Sequence, residues 1–78
     1  MAEKITCEIK RHVGVLSVNN KSGWKKEANI ISWNGGPDKL DIREWSPDHS
    51  KRNKGITLKE EEAIALGMAL NNLFGGQA

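Results

Sequence analysis

Between Lys4 and Val18 apolar and polar side chains alternate, with Ile5, Cys7 and Ile9 on one side and Thr6, Glu8 and Lys10 on the other. Alternation of β-branched residues at a period of two predicts a strand half-buried on one face. Arg11, His12, Val13 and Gly14 break the phase, which predicts a bend or bulge there. Asn19–Gly23 is dense in turn formers, and Trp24–Trp33 reads as a second strand. The run NGGPD at Asn34–Asp38 predicts a tight turn, because Asn and Gly tolerate positive φ and Pro presets one. Lys39–Ser46 is a third strand, a polar loop begins at Pro47, and Lys54–Thr57 holds a short fourth strand.

The pattern then changes period. Ala63, Leu66, Gly67, Leu70, Leu73 and Phe74 recur at three- and four-residue spacing, and Ile64 and Met68 widen the stripe. This predicts an amphipathic helix over about 58–74. Thr57 with Glu60 three residues on forms a capping box, and Glu60, Glu61 and Glu62 suit the positive end of the helix dipole. Gly75 and Gly76 end it. The expected architecture is α+β, several antiparallel strands backed by one C-terminal helix. The apolar surface of that helix exceeds what one sheet face needs, so a homodimer is expected.

Seventy-eight residues make one small domain, 1–78, with a thin core. Cys7 is the only cysteine, so a disulfide within the chain is excluded, and its place between Ile5 and Ile9 reads as a small core position. One thiol and no signal peptide point to a reducing, cytoplasmic setting. No apolar run reaches the ~20 residues of a membrane span, so no membrane partner is expected. The net charge of +2 says little by itself. Its distribution says more, since residues 1–57 hold eleven Lys/Arg against seven Asp/Glu, and residues 58–78 one Lys against three Glu. The basic charge therefore belongs to the strands, a pointer to an anionic ligand.

Alternation along 40–45 sets Leu40 and Ile42 on one face and Asp41, Arg43 and Trp45 on the other. If Leu40 and Ile42 meet the helix, Arg43 and Trp45 face outward together. On the second strand Lys25, beside Lys26, shares a face with Asn29 and Trp33. Indole gives any nucleobase a stacking surface, and Lys or Arg neutralises phosphate, which is how single strands are held without reading sequence. Lys51, Arg52 and Lys54 add a basic rim. Against this stands a plainer reading, in which Trp24 and Trp33 close hairpin ends or pack under a sheet corner, Trp45 is likewise a packing residue, and the loop charges are solvated.

Catalysis finds little support. His12 and His49 lie far apart in no zinc-ligand spacing, loop His49 reads as solvated, and no glycine-rich phosphate loop is present. No enzyme activity, cofactor, metal or small-molecule substrate is expected.

The order LDIREW, basic loop, KGITL and amphipathic helix resembles the single-stranded-DNA-binding domain of transcriptional coactivator positive cofactor four, and most of all its small bacterial YdbC-like members. The resemblance covers roughly 24–74 and is strongest from Leu40 to Leu58. It implies a β-β-β-β-α protomer with a curved four-stranded sheet, dimerising largely through its helix. It further implies binding of single-stranded DNA, or RNA, with little sequence preference, in transcription, replication or repair. By that likeness Arg43 contacts the strand, Trp45 stacks a base, Lys54 contacts phosphate, and Lys25 is a further basic position. Relatives of the eukaryotic kind carry an aromatic residue in the second hairpin turn, where this chain has Asn34-Gly35-Gly36, with Trp33 one place earlier. The loop from Trp45 to Lys54 is shorter than theirs, and their serine-rich regulatory region has no match here, so coactivation does not carry over. A second reading stays open at this stage, a protein-interaction or regulatory module without nucleic-acid binding.

Overall fold

The computed structural model describes residues 6–75. Four strands, β1 (Cys7–Val18), β2 (Lys25–Trp33), β3 (Asp38–Trp45) and β4 (Ile56–Leu58), form one sheet in the order β1-β2-β3-β4. Every neighbouring pair is antiparallel. One helix, α1 (Glu60–Leu70), follows and runs into a wider π-type turn over Asn71–Gly75. The β-β-β-β-α order is thus as expected. Ile5, expected in the first strand, lies outside the described residues.

Hairpin geometry follows from local chemistry. Asn34 and Gly35 take φ of 52° and 73°, and Gly36 N–H closes the turn onto the Trp33 carbonyl at 2.8 Å. Two consecutive positive φ values match the twist of the flanking strands, which is why Asn-Gly sits there. The Asn34 side chain also accepts the Thr6 N–H at 2.8 Å, fastening the start of β1. At the other hairpin, Asn19 Oδ1 accepts from the N–H groups of Lys21 and Ser22, while Gly23 takes φ of 81°.

The single bend expected in the first strand is three. The β1–β2 register slips at Ile9/Arg11, His12/Gly14 and Val15/Ser17, leaving Lys10, Val13 and Leu16 without opposite partners. Each extra residue bends the strand and strengthens its right-handed twist. Repeated every three residues, they curl the edge of the sheet. The consequence shows on the face away from α1, here called the inner face, where Asn29, Ile31 and Asp41 are fully buried. Cys7, expected in the core, is half-buried on this face opposite Trp33.

On the other face α1 lies against β3 and β4, where Ala63 and Ile64 approach Ile30 and Leu40. Leu40 therefore faces the helix as its alternation required. The cap is displaced by two residues from its expected place. Thr57 lies inside β4 and turns its hydroxyl to Asp41, to which it donates at 3.0 Å, so it is placed in the sheet and not at a helix start. Lys59 is the N-cap instead, and the Glu62 carboxylate accepts its N–H at 2.9 Å. Strand geometry continues through Leu58, which moves the start from 58 to 60. The C-terminal end also differs, since α-helical geometry stops at Leu70 and a wider turn carries the chain to Gly75.

Gly55 shows how tightly β4 approaches. A Cβ there would overlap the Cβ of Arg43 and the carbonyl oxygen of Ile42. The glycine of the KGITL run is thus required by close approach. Gly55→Ala should push β4 off β3 and cost about 1–3 kcal/mol, the usual penalty of forcing volume into a packed site. Urea unfolding followed by circular dichroism measures this, and an unchanged midpoint would contradict the packing described.

Candidate nucleic-acid interface

Alternation and register bring four expected residues to one open groove. Arg43 on β3, Trp33 at the end of β2, and Arg52 and Lys54 from the loop line it, together with Lys39, Asn53 and Thr57. Its floor is set by an ion pair. Arg43 donates from Nε to Asp41 Oδ1 at 2.6 Å and from Nη2 to Oδ2 at 2.7 Å, and its third donor reaches the Asn53 carbonyl at 3.3 Å. This two-pronged geometry fixes the guanidinium plane. Its Cζ then lies 4.8 Å from the centre of the Trp33 ring, and that of Arg52 lies 5.1 Å away. Such contacts contribute about 0.5–1 kcal/mol when exposed and more when dry.

The expectation that Arg43 and Trp45 stand open together needs correction. They share the inner face with Asp41, as their spacing requires, but Trp45 is only 3% exposed. The loop after β3 folds over it. His49 approaches the Trp45 ring at 5.4 Å between centroids, and the Arg52 guanidinium sits 5.9 Å above it. Arg43 is likewise largely enclosed by its partner Asp41, its side chain 12% exposed. The curl of the sheet and the short loop bury what a flat strand would have displayed.

Other expected residues separate. Lys26 pairs with Glu44 in the register and so belongs to the helix side, away from Arg43. Lys25 stands opposite Trp45 on the inner face and lines a second hollow with Ile9, His12, Val15, Glu27, Asn29 and His49. Lys51 is exposed in the loop, where its backbone bonds to Ser46. Trp24 is half-buried just before β2. Lys39 was missed, although it is the next position on the alternation that holds Asp41, Arg43 and Trp45.

The two histidines, which the chain separates by 37 positions, meet one carboxylate. Glu27 is 3% exposed. His49 Nε2 lies 2.9 and 3.1 Å from its two oxygens, Asn29 donates to it at 3.2 Å, and His12 Nδ1 stands 3.9 Å away. Hence His49, expected to be solvated, is a structural contact of a buried acid. It holds φ of 62°, uncommon for a residue with a Cβ. Both indole N–H groups, of Trp33 and Trp45, are buried without an acceptor among the described residues.

Burial by itself raises the pKa of Glu27. The hydrogen bonds from His49 and Asn29, with the positive potential of both histidines, outweigh it and hold the carboxyl below its ordinary 4.5. In the loop, hydrogen bonds from the Ser50 hydroxyl and N–H, then from the Ser46 hydroxyl, bring Asp48 down to about 2 from 3.8. Both carboxyls bind protons more readily in the unfolded chain. Their stabilisation is therefore complete above about pH 4.5 and drains away as pH falls through the folded values. Urea midpoints should drop as pH falls below about 4.5, and Glu27→Gln should shrink that drop. An equal drop in the variant would mean that Glu27 does not contribute.

An uncharacterized protein of Treponema pallidum (strain Nichols) is 50% identical over 66 residues, covering 85% of this chain and 76% of that protein. The family model for Transcriptional Coactivator p15 (PC4) matches residues 10–69, from within β1 almost to the end of α1. That span contains the whole groove, from Trp33 through Arg43 to Lys54 and Thr57. With the match covering most of its length, the chain belongs to the Transcriptional Coactivator p15 (PC4) family.

Proposed function

We propose that the chain is a sequence-tolerant binder of single-stranded nucleic acid, DNA first and RNA by the same chemistry, acting as a homodimer. The observation that carries this is the groove itself. One indole, two guanidiniums and two ammonium groups surround an open hollow, offset only by the buried carboxylate of Asp41. A π-face flanked by cations suits any base next to any phosphate, without hydrogen bonds that read sequence. Trp33 is the leading stacking surface, since Trp45 is covered. Family membership supports the same reading, as a nucleic-acid-binding rather than catalytic family.

The dimer rests on surface that a lone protomer leaves bare. No side chain of α1 is buried, and Ile64, Leu66, Met68, Leu70, Leu73 and Phe74 are all exposed. From Ala63 to Leu70 the helix carries no polar side chain, and a helix apolar all round belongs inside something. A cleft between α1 and the sheet, lined by Ile30, Leu40, Ala63 and Ile64, offers a seat for the partner's side chains.

Titrating a fluorescent oligothymidine should show tighter binding than a matched duplex. Lys39, Arg52 and Lys54 line the groove outside any ion pair among the described residues. Three neutralised phosphates predict a log–log salt slope of about −2 per protomer. Trp33→Ala should weaken binding about five- to hundredfold, the loss of one stacked base. Equal affinity for single strand and duplex would sink the proposal. Sedimentation checks the dimer separately: a species of 8.6 kDa at high concentration would refute it.

A further inference from the structure

We infer that His12 and His49 form a proton-dependent phosphate subsite in the second hollow of the inner face, so that a single strand is bound there with uptake of protons. This rests on the reading that the inner face takes single-stranded nucleic acid.

The hollow and the groove lie on the same side of the sheet, since Glu27, Asn29 and Trp33 share one alternation along β2. Buried Glu27 and Asn29 form its floor, Ile9 and Val15 its apolar wall, and Lys25, His12 and His49 its basic groups. The two buried carboxylates of this face are met differently. Asp41 has a permanent cation in Arg43. Among the described residues the ion pairs of Glu27 are with His12 and His49 alone, so its counter-charge depends on protons.

Hydrogen bonding fixes which nitrogen of each ring carries the proton. His12 Nδ1 lies 2.7 Å from Asn29 Oδ1, an atom that only accepts, and the Asn29 amide is oriented by its donation to Glu27. His49 Nε2 faces the two Glu27 oxygens at 2.9 and 3.1 Å, and a carboxylate also only accepts. A neutral imidazole has a single N–H, and in both rings it must point at these acceptors. The second nitrogen, Nε2 of His12 and Nδ1 of His49, is then a bare lone pair, with no hydrogen-bond partner among the described residues. A phosphodiester oxygen also only accepts, so neutral rings have nothing to offer it. Protonation makes each second nitrogen a donor and adds a positive charge, while the inward bonds stay as they are. Imidazole is the side chain that ordinarily changes charge between about pH 5 and 8. Both side chains are accessible to such a ligand, at 52% and 43% exposure.

The fixed charges nearby leave this control with the histidines. Lys25 offsets Glu27 when both rings are neutral. Arg43 lies across from Glu27 in the register but is held by Asp41. Asp48 takes the Ser46 and Ser50 hydroxyls, and Arg52 sits over the Trp33 and Trp45 rings. On β1, Lys10 pairs with Glu8, and Arg11 falls opposite Ile30 on the helix side. Each proton taken up therefore adds a positive charge to the hollow. Because the bound state holds more protons than the free one, affinity rises as pH falls.

Calorimetric titration of oligothymidine in two buffers of different ionisation heat counts the protons. Glu27 stays charged from about pH 6 to 8, since its carboxyl is held below 4.5. Over that range wild-type binding should tighten about tenfold as pH falls, with net proton uptake. His12→Gln keeps a donor for Asn29, and His49→Asn suits the positive φ. The double variant should lose the uptake and most of the pH dependence. Imidazole NMR of the wild type needs no variant: near neutral pH both rings should move toward the imidazolium position when oligothymidine is added. Equal affinity across the range without proton uptake overturns the subsite and leaves the groove reading standing. Uptake that persists in the folded double variant, or rings that do not move, overturns it as well. Failure of the wild type to bind at any of these pH values overturns the groove reading and the subsite with it.

Discussion

A carboxylate sealed inside a small sheet must be met on every side, and Asp41 is that constraint here. Fully buried at the middle of β3, it takes both prongs of Arg43 and the hydroxyl of Thr57. Removing one partner of such a pair strands a charge in low dielectric, a cost of about 3–5 kcal/mol. Much else follows from satisfying it. Arg43 is held with its Cζ 4.8 Å from the centre of the Trp33 ring, which shapes the groove. Thr57 is drawn into β4, so the helix must find its cap two residues later. The chain before Thr57 passes so near Arg43 that only glycine fits at 55.

The inner face is therefore a polar core. Glu27, Asn29 and Asp41 form a row across β2 and β3, with Ile31 and Trp45 among them. Such a row is tolerable because its members bond to one another and to His12, His49, Arg43 and Thr57. Buried polar networks are high-stakes, rigid when satisfied and costly when broken. The opposite side shows the reverse economy. Its helix is apolar almost throughout and lies against β3 and β4 with no side chain fully enclosed. One face is complete within the protomer and the other is not, which is why the proposed ligand and the proposed partner copy occupy different sides.

Local rules read the elements well. Asn34-Gly35 set the hairpin, period-two alternation set which residues share a face, and the change of period marked the helix. The candidate groove was legible to the same depth: Trp33, Arg43, Arg52 and Lys54 do converge, and Lys39 could have been added by extending one alternation. Depth of burial was not legible. Alternation names a face but not what curls over it, so Trp45 was placed in the open and lies under a loop. Likewise Glu27 and His49 stand 22 residues apart, and no local signal pairs them.

What the residues by themselves determined is whatever depends on neighbours in the chain: turn φ angles, strand alternation, helix periodicity, and the basic character of the strand region. These are short-range preferences of backbone sterics and side-chain spacing. Tertiary structure decided what depends on distance through space. It chose Thr57 for Asp41 over the helix cap, drew His12 and His49 to one carboxylate, and bulged β1 three times to enclose a polar face. The physical reason is that a buried charge or polar group must find a partner wherever the chain can bring one, and that competition outweighs a local preference of about 1 kcal/mol such as a cap.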